Sequence, residues 1–315
     1  MPLLTINLNP AVDTVCRVKS FNTHHVNRAY EVVKTAGGKG NNVARIARSA
    51  GEEVYSLCFL GGASGAWIAK QLTESGIYPV SVEVGEDTRT CIAVVDERDN
   101  SVTELLEPGP VISQEQQNRL LDKLLDLLRS KTFDCITLSG SLPKGLTNEW
   151  LDQLFAELCS HDIPFIVDTS DSRVLDLLHH KPTVIKPNVQ ELESWMGTAI
   201  REENDMIQAG YDLCRKGAKA AVVSRGEKGL LAIRKECIYK VSVPKVNPVS
   251  TVGAGDALVA GLALGFINQL PWPEILRKSA GFGTAATLSY TTGRIDSGSL
   301  PSLVNQVTIK KIQPV

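Results

Sequence analysis

A glycine-rich turn directly before an apolar run carries the clearest chemical signal in the sequence. The stretch STVGAGDALVAGLALG, residues 250–265, places Gly253, Gly255 and Asp256 at the start of a predicted helix. The first amides of a helix, here those of Ala254, Gly255 and Asp256, lack internal acceptors and form an anion site. A carboxylate beside such a site is unfavourable unless it takes a proton from an attacking hydroxyl. The pattern therefore indicates phosphoryl transfer with Asp256 as general base. The alternative is that Asp256 is a simple N-cap.

A second glycine loop, KTAGGKGNNVARIARSAG, covers residues 34–51. It is not a Walker loop, because Gly40 follows Lys39 where a serine or threonine is required. Its glycines let a ligand approach the backbone, while Lys39 and Asn42 offer polar side chains; the alternative for Asn42 is a helix cap. A third glycine pattern, GFGTAA at 281–286, lies inside a helical run with no preceding strand. We interpret it as close helix packing and not as a dinucleotide-binding fingerprint.

The elements that must position these loops alternate between strand and helix. Short apolar segments predict strands: LLTINL, VYSLCFLGG, FDCITLSGS, IPFIVDTS, TVIKPN and AKAAVVSRG. Amphipathic segments such as GNNVARIARSAG and LDQLFAELCSH predict the intervening helices, and RLLDKLLDLLRS follows a capping box of Ser113 and Gln116. Repeated βαβ units predict an α/β protein of Rossmann type with three layers, in which a parallel sheet lies between two layers of helices. GLLAIRKECIYKVSVP predicts an additional hairpin.

Two segments, 11–35 and 89–106, alternate polar and apolar residues without a helix between strands. This pattern predicts a small separate β-sheet, which we interpret as a lid over the carboxyl edge of the main sheet. The predicted core then comprises residues 1–10, 36–88 and 107–315. Ligands bind at that carboxyl edge in doubly wound sheets. Polar residues and glycines follow the predicted strands there: Asn9, Asp13, Gly61, Gly62, Ser139–Ser141, Asp168, Lys186–Asn188 and Ser224–Gly226.

Composition excludes several classes of protein. The net charge is −2 and no basic block stands out, which argues against nucleic-acid or membrane-surface binding. The longest apolar run, ALVAGLALGFI, is too short to cross a bilayer. Seven cysteines without a C-x-x-C pair, together with an N-terminus that lacks signal-peptide features, predict a cytoplasmic protein. The pairs His24–His25 and His179–His180 lack metal-ligand spacing, so no zinc site is predicted.

The two glycine motifs, AGGKGNNVARIA and STVGAGDALVAG, resemble the paired signatures of the ribokinase (PfkB) carbohydrate kinase family. The resemblance extends along nearly the whole chain: NLNPAVD, TRTCIAVV, TELLEPGP, LSGSLPKG, KPTVIKPNVQEL and VVSRGEKGLL are similar to segments of the subgroup containing 1-phosphofructokinase and tagatose-6-phosphate kinase. It implies a ribokinase-like core with a β-sheet lid, dependence on ATP and Mg²⁺, and frequent dimerisation through the lids. A monomer whose lid docks on its own core fits the sequence equally well.

The resemblance also implies roles for individual residues. Asp256 would be the general base, and Gly253, Ala254 and Gly255 would line the anion hole. Asp13, Gly38, Lys39 and Asn42 would hold the sugar. The ATP phosphates and the nucleotide would contact Lys186, Asn188, Ser224, Gly226 and Gly229. Glu191 would contact Mg²⁺ through water, the alternative being a solvated charge on a helix face.

The acceptor's own phosphate needs a cationic partner, because it approaches an already anionic ATP. Arg89 is best suited, since an arginine can bind phosphate through two N–H groups. Arg28 on the predicted lid and the hydroxyl of Ser139 are further candidates; the alternative for both arginines is a surface charge. These residues favour a ketohexose monophosphate as the substrate. A kinase for a neutral sugar or nucleoside remains the alternative, followed by an inactive sugar or nucleotide sensor.

Overall fold

A computed structural model describes residues 2–99 and 101–312 of the chain. The predicted core and lid ranges extend to residues 1, 100 and 313–315, which lie outside the described residues. Within the described residues, two β-sheets and ten α-helices form the fold.

The larger sheet contains ten strands. In chain order they are β1 (Pro2–Asn7), β4 (Glu53–Gly61), β5 (Tyr78–Val84), β8 (Cys135–Ser139), β9 (Phe165–Asp168), β10 (Val184–Ile185), β11 (Ala221–Ser224), β12 (Leu230–Arg234), β13 (Cys237–Ser242) and β14 (Thr308–Ile312). Their spatial order is β14-β13-β12-β11-β10-β9-β8-β1-β4-β5. In this spatial order, all neighbouring strands from β11 to β5 pair in parallel. The pairs β11–β12, β12–β13 and β13–β14 are antiparallel. The parallel sheet and the hairpin of β12 and β13 confirm the prediction.

Helices cover both faces of this sheet, as its apolar strands require. One apolar core contains residues of α3 (Gln114–Ser130), α4 (Asn148–Ser160), α5 (Val174–Leu177), α6 (Val189–Met196) and α7 (Glu203–Lys216). The other core contains residues of α1 (Lys39–Ser49), α2 (Gly62–Glu74), α8 (Ala254–Ile267), α9 (Trp272–Ala286) and α10 (Leu300–Gln306). The predicted three layers are therefore present. The predicted capping box is also present, because Ser113 and Gln116 bond reciprocally at the start of α3.

The smaller sheet has four strands, which are β2 (Ala11–Val18), β3 (Glu31–Gly37), β6 (Thr90–Asp96) and β7 (Ser101–Leu106). Their order is β3-β2-β6-β7, and only β2 and β6 pair in parallel. β2 follows directly from the end of β1, and β3 leads directly into α1. The small sheet is therefore joined to the carboxyl edge of the large sheet, where ligands bind in such folds.

Helix α8 lies at the centre of the second core and is buried along nearly its whole length. Its packing against α9, and that of α9 against α10, depends on glycines. A side chain at Gly281 would collide with Val304 of α10, and one at Gly283 would press on the carbonyl of Ala254. The interpretation of GFGTAA as a packing motif is confirmed.

All seven cysteines are free thiols, four of them buried and three half-buried. None of the helices in the described residues has the length and apolar character needed to cross a membrane.

Candidate active site

Asp256 is the third residue of α8 and is not its N-cap. Gly253 occupies the cap position with a φ of 84°, in the left-handed region that favours glycine. The Asp256 side chain makes no cap bond; its Oδ2 accepts a 2.7 Å hydrogen bond from Nδ2 of Asn42. The carboxylate is therefore held by the second glycine loop, 214 residues away in sequence.

The environment of Asp256 suits a general base. Burial raises its pKa to about 6, and the nearby charge of Asp168 adds to this rise. Lys39, Lys186 and the Asn42 hydrogen bond oppose it by favouring the ionised form. A pKa close to neutrality lets a carboxylate accept a proton and remain ionised at physiological pH.

The backbone at the start of α8 offers donors for an anion. The N–H of Ala254 donates to the carbonyl of Thr251 at 3.3 Å. The N–H groups of Gly255 and Asp256 have no acceptor within the described part of the chain. Of the three amides predicted to form an anion hole, two are therefore free to bind one.

Lysines and carboxylates form a network behind this turn. The Lys186 ammonium lies 3.0 Å from Oδ1 of Asp168, and the Lys39 ammonium lies 3.7 Å from the same atom. Lys39 also lies 3.6 Å from Oε1 of Glu191. Attraction to Asp168 is the main cause that raises the pKa of Lys39 above its usual value. A fixed positive charge is therefore present beside Asp256.

Glu191 is not a solvated charge on a helix face, because its side chain is mostly buried and faces Lys39. It also forms a capping box with Asn188. The Asn188 side chain accepts a hydrogen bond from the Glu191 amide at 2.7 Å, and the Glu191 carboxylate accepts one from the Asn188 amide at 2.9 Å. This box fixes both side chains at the start of α6.

Two clefts flank the first turn of α8. The first has a volume of about 370 Å³ and lies between the two sheets. It is lined by seven of the predicted residues: Asp13, Gly38, Lys39, Asn42, Arg89, Gly253 and Asp256. The second has a volume of about 700 Å³ and is lined by five others: Ser224, Gly226, Gly229, Ala254 and Gly255. Asp256 thus lines one cleft, and its neighbour Gly255 lines the other.

The polar side chains that line the first cleft are held in place by hydrogen bonds to neighbouring residues. Burial raises the pKa of Asp13, whose Oδ2 accepts a hydrogen bond from the Gly38 amide at 3.4 Å. Arg89 donates to the carbonyls of Asn9 and Glu107 at 3.0 Å each. It donates more weakly to the hydroxyl of Ser141 at 3.4 Å. Three of its five N–H groups are used in this way within the described residues.

Five of the predicted residues line neither cleft: Arg28, Ser139, Lys186, Asn188 and Glu191. Arg28 is exposed and lines neither cleft. Ser139 is buried with its hydroxyl unpaired, whereas its neighbour Ser141 lines the first cleft. Lys186 lies next to the anion hole, since its ammonium nitrogen is 3.7 Å from the position that a Cβ atom on Gly255 would occupy.

Sequence reasoning assigned no role to three residues of this site, Arg45, Ser141 and Asp168. Asp168 was recognised as a polar residue after a strand, but only its complete burial distinguishes it from a turn residue. Ser141 shares its S-G-S motif with Ser139, and the sequence does not indicate which hydroxyl faces the cleft. Arg45 lies within the second glycine motif, one helical turn after Asn42.

The structure also brings His179 and His180 to Asp152. Their ligand atoms lie within 4.8 Å of one another, and His180 is 2.7 Å from the carboxylate. Sequence spacing could not reveal this group, since Asp152 comes from α4. None of the three residues lines either cleft.

Comparison with known proteins gives consistent matches. A family model described as pfkB family carbohydrate kinase matches residues 7–297. Tagatose-6-phosphate kinase of Staphylococcus epidermidis (strain ATCC 12228 / FDA PCI 1200) is 34% identical over 313 residues, covering 98% of this chain and 100% of that protein.

Solved structures of phosphofructokinase-2 from Escherichia coli are similar over nearly the whole chain. The complex with fructose-6-phosphate has a TM-score of 0.88 at 26% identity, covering 96% of this chain and 98% of that one. The tetrameric inhibited form gives the same TM-score, identity and coverage. The chain belongs to the pfkB family of carbohydrate kinases.

Proposed function

We propose that this protein transfers the terminal phosphoryl group of ATP to a hydroxyl of a ketohexose monophosphate, giving the bisphosphate and ADP. The candidate acceptors are fructose 1-phosphate, fructose 6-phosphate and tagatose 6-phosphate. The observation that carries the proposal is the buried Asp256 carboxylate beside two free amides, at the point where the clefts meet. The names of the relatives support a phosphosugar as the acceptor.

The proposed reaction divides between the two clefts. A sugar held in the first cleft by Asp13, Gly38, Lys39 and Asn42 presents its hydroxyl to Asp256, which takes the proton as the phosphoryl group arrives. The amides of Gly255 and Asp256 stabilise the charge on the transferred group, and Lys39 adds a fixed positive charge nearby. ATP occupies the second cleft, against the turn of Ser224, Gly226 and Gly229.

A divalent cation, which we take to be Mg²⁺, fits the carboxylates behind the anion hole. Magnesium prefers oxygen ligands. Oδ2 of the buried Asp168 has no hydrogen-bond partner among the described residues, and Oδ1 faces only the ammonium groups of Lys186 and Lys39. Glu191 supplies a second carboxylate, while Lys186 and Lys39 complete the set of charges. When bound, the cation would neutralise charge on the ATP phosphates.

Arg89 is the feature that favours a phosphosugar over a neutral sugar. It lines the first cleft, and its three hydrogen bonds leave the Nε and one Nη1 N–H without a protein acceptor among the described residues. The Nε is buried, so the Nη1 N–H is the donor that remains for a ligand. An arginine so placed offsets the repulsion between two phosphorylated substrates. We assign Arg28 and Ser139 no part in binding by a single chain, because neither side chain lines the cleft.

The four-stranded sheet is proposed to act as a lid, within the predicted segments 11–35 and 89–106. Its cleft-facing side carries exposed apolar residues, including Val102 and Leu106. We infer that a second copy of the chain covers this side, which would both bury these residues and shield the cleft from water. The cytoplasm remains the predicted location.

A substrate panel with two variants tests the proposal. ATP consumption is measured with the three ketohexose monophosphates, fructose and ribose, for wild type, Asp256→Asn and Arg89→Ala. We expect turnover with at least one phosphosugar. Asp256→Asn should lower turnover by on the order of 10²-fold or more, as expected for loss of a general base. Arg89→Ala should impair use of the phosphosugar and spare a neutral acceptor.

Each contrary outcome of the panel has a distinct meaning. Preference for fructose or ribose, unaffected by Arg89→Ala, would identify a neutral-sugar kinase. No consumption with any acceptor would favour a sensor. Wild-type turnover by a folded Asp256→Asn protein would remove that residue from its role.

A further inference from the structure

Arg45 lies directly behind the proposed catalytic base, although the mechanism above does not use it. It follows Asn42 by three residues on α1, so the two side chains share a helix face. Its Nη2 donates to Oδ1 of Asn42 at 2.5 Å and to the carbonyl of Thr292 at 2.8 Å. Its Nε is buried without a partner. A chain of hydrogen bonds thus runs from Arg45 through Asn42 to Asp256.

The hydrogen-bonding capacity of arginine determines how Asn42 is oriented. A guanidinium group only donates, so the atom of Asn42 that faces Arg45 must be its oxygen. The amide nitrogen must then face Asp256 and donate to its Oδ2. The other oxygen of Asp256, Oδ1, has no hydrogen-bond partner within the described residues. The oxygen available to take a proton is therefore set by the orientation of the Asn42 amide.

The surroundings of Arg45 maintain this arrangement. Gly293 has a φ of 68°, and a side chain there would collide with the Arg45 guanidinium. Burial lowers the pKa of Arg45 to about 10, and attraction to Asp13 and Asp256 opposes that fall. The group is therefore charged at neutral pH. It contributes a positive charge near both carboxylates of the first cleft.

We propose that Arg45 is a positioning residue: it fixes the Asn42 amide so that Asn42 donates to one oxygen of Asp256 and leaves the other for the substrate hydroxyl. The proposal rests on the proposed role of Asp256 as a base. Without Arg45 the Asn42 amide can rotate and turn its own oxygen toward the carboxylate. Asp256 would then lose a donor and be held less firmly.

A double-mutant cycle tests this coupling. Arg45→Gln should lower kcat by on the order of 10-fold, the scale of a lost charge-assisted hydrogen bond, with KM little changed. Arg45→Lys, which keeps the charge and N–H donors but loses the planar guanidinium geometry, should recover part of the loss. In an Asn42→Ala background Arg45→Gln should have less than about a twofold effect, because interacting residues are not additive. Arg48→Gln, an exposed arginine on the same helix, is the control and should behave as wild type.

A titration of the ligand-free protein separates this proposal from the proposed function. The carboxyl carbon of Asp256 is followed by NMR and identified by its loss in Asp256→Asn. Lys39, Asp168 and Lys186 also act on this carboxyl, and all three remain in the variants. Arg45→Gln should raise the pKa of Asp256, because a nearby positive charge and an oriented donor are lost. Arg48→Gln should leave it unchanged.

The titration does not depend on finding the correct substrate, whereas the kcat cycle does. An unchanged pKa of Asp256 in Arg45→Gln, or equal effects of Arg45→Gln with and without Asn42, would overturn the positioning role. If Arg45→Gln fails to fold, the kcat cycle is run with Arg45→Lys, whose smaller loss should disappear in the Asn42→Ala background. Absence of kinase activity in the wild type would refute the proposed function and leave the titration as the test of Arg45.

Discussion

Asp256 is costly to the fold at the pH at which it would act. Its pKa in the folded protein is about 6, above the usual value of 3.8, because burial disfavours the ionised form. A carboxyl group with a raised pKa stabilises the fold at low pH, and this stability is lost as the pH rises through about 6. At pH 8 the folded protein therefore carries the full cost of a buried, ionised base.

Asp256→Asn should consequently make the protein more stable at pH 8. A shift of about two pKa units at roughly 1.36 kcal/mol each sets an upper bound of about 3 kcal/mol on the gain. The gain should shrink as the pH falls to 5, because the wild-type carboxyl becomes neutral in the folded state. Urea unfolding at pH 5, 6 and 8 measures it, with the exposed Asp122→Asn as control. A gain that does not depend on pH would contradict the raised pKa.

At the scale of single residues, the sequence identified those site residues that lie within a recognisable motif. Asp256, Lys39 and Asn42 were predicted because glycines and helix starts identify anion sites locally. Asp168 and Arg45 were not assigned, since their environments arise from contacts between distant segments. The bond between Asn42 and Asp256 joins residues 214 positions apart, and no spacing rule predicts it.

Helices α8, α9 and α10 determine where the anion site lies. The first turn of α8 can hold its position only if the rest of the helix is packed tightly, and glycines allow that close approach. Gly261 of α8 lies against the backbone of Ser279 in α9, and Gly281 of α9 lies against Val304 in α10. GFGTAA was correctly assigned to packing from the sequence, because no strand precedes it.

Gly281→Ala should destabilise the protein. The added methyl group would collide with Val304, and overpacking a core costs about 1–3 kcal/mol. Alanine's better helix propensity offsets about 0.5–1 kcal/mol of this cost. We expect a net loss of about 1–2 kcal/mol in the free energy of unfolding, measured in urea. Gly85→Ala is the control, since no atom lies within 4 Å of its added methyl group. Equal stability of both variants would show that the helices can separate without cost.

At the scale of the whole molecule, the sequence predicted the layers but not the strand order. Alternating apolar strands and helices indicate a parallel sheet with both faces covered. They do not indicate that β14, from the end of the chain, pairs with β13 at one edge of a ten-stranded sheet. That pairing depends on the tertiary fold. Alternation likewise predicted the small sheet, whereas its cleft-facing side follows only from the observed register.

The register divides the apolar residues of the small sheet between two faces. Leu106 pairs with Cys91 and lines the first cleft, so it lies on the cleft-facing side. Val33 pairs with Val15 on that same side. Leu105, the residue before Leu106 in β7, lies on the opposite side. Both leucines are more than half exposed, which makes them a matched pair for testing how two copies associate.

Leu106→Glu should convert a dimer to a monomer, whereas Leu105→Glu should leave the dimer intact. A buried, unpaired charge opposes association, and only Leu106 would be buried if cleft-facing sides pack together. Sedimentation velocity at micromolar protein concentrations distinguishes the two states. A wild type that sediments as a monomer would exclude the lid dimer. Dissociation by Leu105→Glu alone would place the interface on the outer side, and the cleft would then have to be shielded from water within a single chain.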